Sequence, residues 1–90
     1  FGVFHGEPVR VRIWFAADIA DYIREKTWHD TQKFEMQKDG SIIFEAEVAG
    51  TKEIEFWVLK WGAKAKVLAP ETLQNAIRSE IETMRAIYTP

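Results

Sequence analysis

The chain has 90 residues, 47% of them hydrophobic, with four tryptophans, no cysteine and a formal net charge of −2. That length supports one domain burying a little over ~60% of the surface its unfolded chain exposes; it excludes disulfides and thiolate chemistry, and it lacks the basic surplus of a free-standing nucleic-acid binder. No apolar run approaches the roughly 18 residues of a membrane span, so no membrane partner is expected, and a cytoplasmic location suits the missing cysteines.

Phe1–Pro8 carries Gly2, Gly6 and Pro8 and reads as an entry segment. A start at Phe1-Gly2, without Met, is what a piece of a longer protein would show. Val9–Phe15 alternates strictly, with Val9, Val11, Ile13 and Phe15 on one side and Arg10, Arg12 and Trp14 on the other. Successive side chains of a strand point to opposite faces, so this is a strand with one apolar face. Asp18 suits a helix N-cap, and Ile19, Tyr22, Ile23 and Lys26 follow helical spacing, predicting a helix over Asp18–Lys26. Trp28-His29-Asp30-Thr31 has no period and reads as a loop. Phe34 and Met36 alternate with Lys33, Glu35 and Gln37 as a second strand, and Lys38-Asp39-Gly40-Ser41 is a hairpin turn. Ile42, Phe44, Ala46 and Val48 line the inner side of a third strand, with Glu45 and Glu47 outside.

Gly50 breaks that strand, and Thr51 can cap a helix over Lys52–Trp61 whose apolar stripe is Ile54, Trp57, Val58 and Trp61. Gly62 stands where a C′ glycine belongs. Lys64–Leu68 is a short fourth strand with Lys64 and Lys66 outward, as an edge strand needs. Pro70 fits the first turn of a third helix, along which Leu73, Ile77, Ile81, Met84 and Tyr88 share one face. The order βαββαβ plus a final helix predicts one α+β domain over 1–90, of the ferredoxin-like, split-βαβ kind. Its expected sheet order is 4-1-3-2, with strands one and three central and parallel. Both early helices cover the face holding the odd positions of the first strand. Arg10, Arg12, Trp14, Lys33, Glu35, Glu45, Glu47, Lys64 and Lys66 remain for the open face.

Chemistry is sparsely signalled. Only Trp14 stands where RNA-recognition sheets place stacking aromatics, and Glu45 and Glu47 beside it repel phosphates. Arginines paired with glutamates across strands explain that face more simply. His5 and His29 are the only histidines and no ligand constellation joins them, so no metal is expected. Ser41 and Ser79 have no base or glycine-rich elbow nearby, there is no phosphate loop, and no enzyme or cofactor is predicted. Trp57 and Trp61 read as core. Arg24, Trp28, His29 and Gln32 cluster around an aperiodic loop, where function concentrates. They admit two readings: a polar pocket for an anionic or planar ligand, or a core-plugging Trp28 with His29 and Gln32 capping loop backbone.

Several residues then fall into a familiar order: Phe1-Gly2, Val9-x-Val11…Phe15, Arg24-Glu25, Trp28-His29-x-Thr31-Gln32 and Asp39-Gly40. They continue with Glu53…Trp57-x-Leu59-x-x-Gly62, Val67-Leu68-x-Pro70-x-x-Leu73 and Ile77. Across nearly its whole length the chain resembles the C-terminal extension, or WCX, domain of WYL-domain transcriptional regulators. Thr31 stands where that pattern often has Ser, and the hydroxyl is kept. The resemblance implies a bacterial protein with an upstream winged helix-turn-helix and an Sm-like WYL domain, DNA contacts residing in the former. It implies a regulatory domain for effector sensing or dimerisation, its partners being those upstream domains, a second copy, and single-stranded nucleic acid or another anionic effector. It also directs attention to Arg24, Trp28, His29 and Gln32 as effector-binding residues. Two alternatives use the same fold: an autonomous ligand- or RNA-binding domain, and a small acylphosphatase-like hydrolase, for which the phosphate cradle is missing. Fold alone does not separate them.

Overall fold

The computed structural model describes residues 7–89, so His5 and most of the predicted entry segment lie outside the described residues. The elements are β1 (Pro8–Phe15), α1 (Ala17–Arg24), β2 (Lys33–Met36), β3 (Ile42–Ala49), α2 (Lys52–Lys60), a 3-10 turn (Gly62–Lys64), β4 (Ala65–Ala69) and α3 (Glu71–Tyr88). The described residues form an α+β fold: three helices and a four-stranded sheet of order β2-β3-β1-β4. Counted from the other edge, that order is 4-1-3-2. Every neighbouring pair is antiparallel, which corrects the expected parallel pairing of strands one and three. The reason is topological. A helical crossover returns β2 in the direction of β1, the tight hairpin reverses β3, and β3 therefore runs against β1 when it enters between them.

The alternation in β1 sets the layers. Val11, Ile13 and Phe15 are fully buried and join Ile42, Phe44, Ala46 and Val48 of β3 in one core. Ala20 and Ile23 of α1 and Ile54, Trp57 and Val58 of α2 close that core from the helix side. Trp57 is 8% exposed, with its ring 5.1 Å from Phe15 and 5.2 Å from Phe44. The molecule is only 19 Å through its thinnest axis, the depth of one sheet under one helix layer.

Local details depart from the sequence expectations in instructive ways. Asp18 is not the N-cap of α1. The Ala16 N–H donates to the Lys64 carbonyl at 2.9 Å as the last link of the β1–β4 pairing, and the helix starts at once, with Ala16 as its cap residue. Asp18 instead takes the Lys64 ammonium at 2.6 Å, so Lys64 sits in the 3-10 turn and leaves the open face. Helix α1 also stops at Arg24, two residues early. Thr51 occupies the cap position of α2 without a side-chain cap bond, and Gly62 follows the C-cap with φ +58°. In the hairpin, Asp39 accepts from the Ser41 N–H at 2.9 Å and hydroxyl at 2.6 Å, while Gly40 takes φ +90°. Along α3 only Leu73 is buried and Ile77 packs on the core. Ile81, Met84, Ile87 and Tyr88 are 49%, 43%, 75% and 82% exposed. Eighteen helical residues span about 27 Å, and the five-residue β4 beneath them runs out first.

Candidate functional site

The loop between α1 and β2 holds three of the four predicted site residues together. Gln32 is its fastener. Its Oε1 accepts the Trp28 N–H at 2.6 Å and the His29 N–H at 3.2 Å, and its Nε2 donates to the Lys26 carbonyl at 3.0 Å. One amide thus satisfies three backbone groups that no helix or strand reaches. Trp28 lays its ring 5.0 Å from Trp57 on the core edge and donates Nε1–H to the Ile23 carbonyl at 2.9 Å. That carbonyl belongs to the last turn of α1, where it also receives the Lys26 N–H at 3.5 Å.

His29 is committed as well. Its Nδ1 accepts the Thr31 N–H at 3.1 Å and stands 2.8 Å from the Thr31 hydroxyl. Asp30 Oδ1 lies 3.1 Å from the same Nδ1. Thr31 also accepts the Glu47 N–H at 2.9 Å, with its hydroxyl 3.3 Å from the Glu47 carbonyl. Strand β2 pairs Lys33 with Glu45, so Thr31 faces Glu47 in the same register. Its side chain makes the rung that its backbone does not. Thr31 was absent from the predicted site, and its signal was the hydroxyl retained in the family pattern.

Arg24 stands apart from this loop. Its guanidinium bonds to Asp21 at 2.6 Å, one turn back on α1. The cations nearest the aromatic edge are ones that sequence reasoning passed over. Lys26 lies 4.6 Å above the Tyr22 ring and 5.9 Å from Trp28, and Lys60 lies 5.1 Å from Trp61. Tyr22 and Trp61 are 5.6 Å apart, joining the two helices. Hydrogen bonding to Lys26 holds the Tyr22 phenol below its ordinary range, with the charges of Lys26 and Lys60 adding to the effect and burial opposing it. The visible hint in the sequence was the Tyr22/Lys26 spacing of four.

The open sheet face carries a charge lattice. Arg10 lies 3.7 Å from Glu47, and Arg12 lies 3.3 Å from Glu45 and 3.0 Å from Glu35. These are the cross-strand pairs expected from the sequence. Trp14 and Ile43 are half-buried beside the Arg12–Glu45 pair. Among the described residues, no group of three His, Cys, Asp or Glu is placed to hold a metal, and no helix is long and apolar enough to cross a membrane.

No curated protein matches the chain. A family model for the WCX domain matches residues 7–85. That span takes in the fastened Trp28–Gln32 loop, the hairpin and most of α3, and the chain belongs to the WCX family of WYL-associated C-terminal domains.

Proposed function

We propose that this domain is a ferredoxin-like regulatory module of a bacterial, cytoplasmic WYL-type transcriptional regulator. It is a non-enzymatic unit that senses an anionic effector and contributes to self-association. The family match over residues 7–85 carries this reading. The βαββαβ order with alternating antiparallel neighbours supports the ferredoxin-like class. DNA recognition belongs to an upstream helix-turn-helix, in keeping with a net charge of −2 here.

The effector-facing edge is the end of α1 and its loop, with Arg24, Trp28, His29 and Gln32 in divided roles. Trp28, His29 and Gln32 fix the loop through the bonds just described. Lys26 and Lys60 supply positive charge beside the rings of Tyr22, Trp28 and Trp61, and Arg24 adds its charge at the end of α1. Ammonium and guanidinium groups next to aromatic faces suit a ligand that pairs a planar ring with an anion. The test uses the full-length regulator with a fluorescent single-stranded oligonucleotide. Arg24→Ala and the pair Lys26→Ala/Lys60→Ala should weaken oligonucleotide binding several-fold while changing stability by no more than about 0.5 kcal/mol, as surface substitutions do. Undiminished binding in both variants removes the edge as the effector site.

A further inference from the structure

We propose that the uncovered sheet face binds a second copy of this chain, about a two-fold axis that runs between β1 and β3 and parallel to them. This deepens the self-association part of the proposed function and rests on that reading. The argument comes from the register. One row across the face reads Lys66, Trp14, Ile43, Glu35. The next pairs Arg12 with Glu45 and Lys33, and the third pairs Arg10 with Glu47. Apart from Lys33 on the edge strand β2, the positive side chains lie on β1 and β4, and all three glutamates lie on β3 and β2.

Such a two-fold keeps strand direction and reverses strand order. β1 of one copy then lies over β3 of the other, as in aligned sheet packing. Because Arg10/Glu47, Arg12/Glu45 and Trp14/Ile43 are register partners, each stands over its partner's counterpart. Arg10 meets Glu47 of the second copy, Arg12 meets Glu45, Trp14 meets Ile43 and Lys66 meets Glu35. Pairs already formed within each sheet become a checkerboard of alternating sign between sheets. A two-fold laid across the strands stacks β1 on β1 and sets arginine over arginine, so the charges choose one arrangement. The half-buried Trp14 and Ile43 supply an apolar patch at one end of it.

Strand spacing and rise give the face roughly 19 by 26 Å, about 500 Å². A standard interface buries about 800 Å² on each partner. The pair is therefore weak and in exchange.

Sedimentation equilibrium of the 90-residue chain, without effector or DNA, tests this separately from effector sensing. Concentration-dependent dimerisation is expected. The variants Arg10→Glu/Arg12→Glu and Glu45→Arg/Glu47→Arg should each lose it by at least tenfold, since each then opposes like charges. Mixed in equal amounts they should associate again, and an isotope-filtered NMR experiment on the mixture should show contacts between Trp14 of one copy and Ile43 of the other. Ile87→Ser, on the exposed end of α3, should leave dimerisation unchanged. If a double variant fails to fold, Lys66→Glu at the exposed edge carries the same test, opposing Glu35 of the second copy. A chain monomeric to about 1 mM, undiminished association in the face variants, or loss in Ile87→Ser overturns the proposal.

Discussion

Replacing Gln32 with alanine removes three hydrogen bonds at once: those from the Trp28 and His29 N–H groups and the one to the Lys26 carbonyl. A typical internal hydrogen bond contributes a net ~0.5–1.5 kcal/mol. The three groups are only partly buried, and water can reach some of them after truncation, so the lower half of that range applies. The expected loss is about 2 kcal/mol. Urea unfolding followed by tryptophan fluorescence measures it globally. Amide exchange measures it locally, where protection of the Trp28 and His29 N–H groups should fall about 30-fold if the loop opens by itself. Gln32→Glu separates the contributions. Its carboxylate still accepts both N–H groups but cannot donate to Lys26, so its loss should lie between wild type and alanine. A cost below about 0.5 kcal/mol for Gln32→Ala, with unchanged amide protection, refutes the fastener role and returns Gln32 to the set of ligand-contacting groups.

Trp57→Ala, at a site 8% exposed and ringed by Phe15, Phe44 and Trp28, should cost about 3–5 kcal/mol in chemical denaturation. The carboxyls of Asp18 and Asp39 are held below the usual carboxylate value, by hydrogen bonds from Lys64 and from Ser41 respectively. Their stabilisation is complete above the unfolded value of about 3.9 and is lost as pH falls through the folded values, so an NMR titration should place both low and Asp39→Asn should flatten the acid decline in stability. The isolated chain, at net charge −2, should give no sequence-selective binding to duplex DNA in an anisotropy titration at physiological salt.

What the sequence made legible follows the strength of its periodicities. Strict alternation through Val9–Phe15 marked the buried face of β1, the βαββαβ order placed that strand in the middle of the sheet, and Asp39-Gly40 marked the hairpin that pairs β2 with β3. Strand directions were within reach too, since crossover and hairpin together force β1 and β3 to oppose. Asp18 shows where local chemistry misleads. A cap residue and an ion-pair partner look alike in sequence, and Lys64, forty-six positions away, decided between them. The stripe along α3 fails for another reason. Period reports which side of a helix is apolar, but not how far the covering element extends.

The loop of Trp28, His29 and Gln32 was found by its lack of period, and its residues turned out to answer to backbone. Aperiodic segments need fasteners because neither ladder nor helix satisfies their N–H and C=O groups. A Gln, a His and a Trp within five positions are therefore as diagnostic of a fixed loop as of a binding loop. What distinguishes the two is the remaining capacity of each side chain. The Gln32 amide has spent both ends on backbone and the Trp28 N–H is committed to Ile23, whereas the ammonium groups of Lys26 and Lys60 rest on aromatic faces rather than on backbone carbonyls of the loop. The open face obeys the same logic at larger scale. Each strand by itself shows only alternating charge, and its self-complementarity exists only once Arg10, Arg12 and Trp14 are set beside Glu47, Glu45 and Ile43. Register, a property of the pairing rather than of either strand, is what gives these four charges the order on which the proposed pairing with a second copy rests.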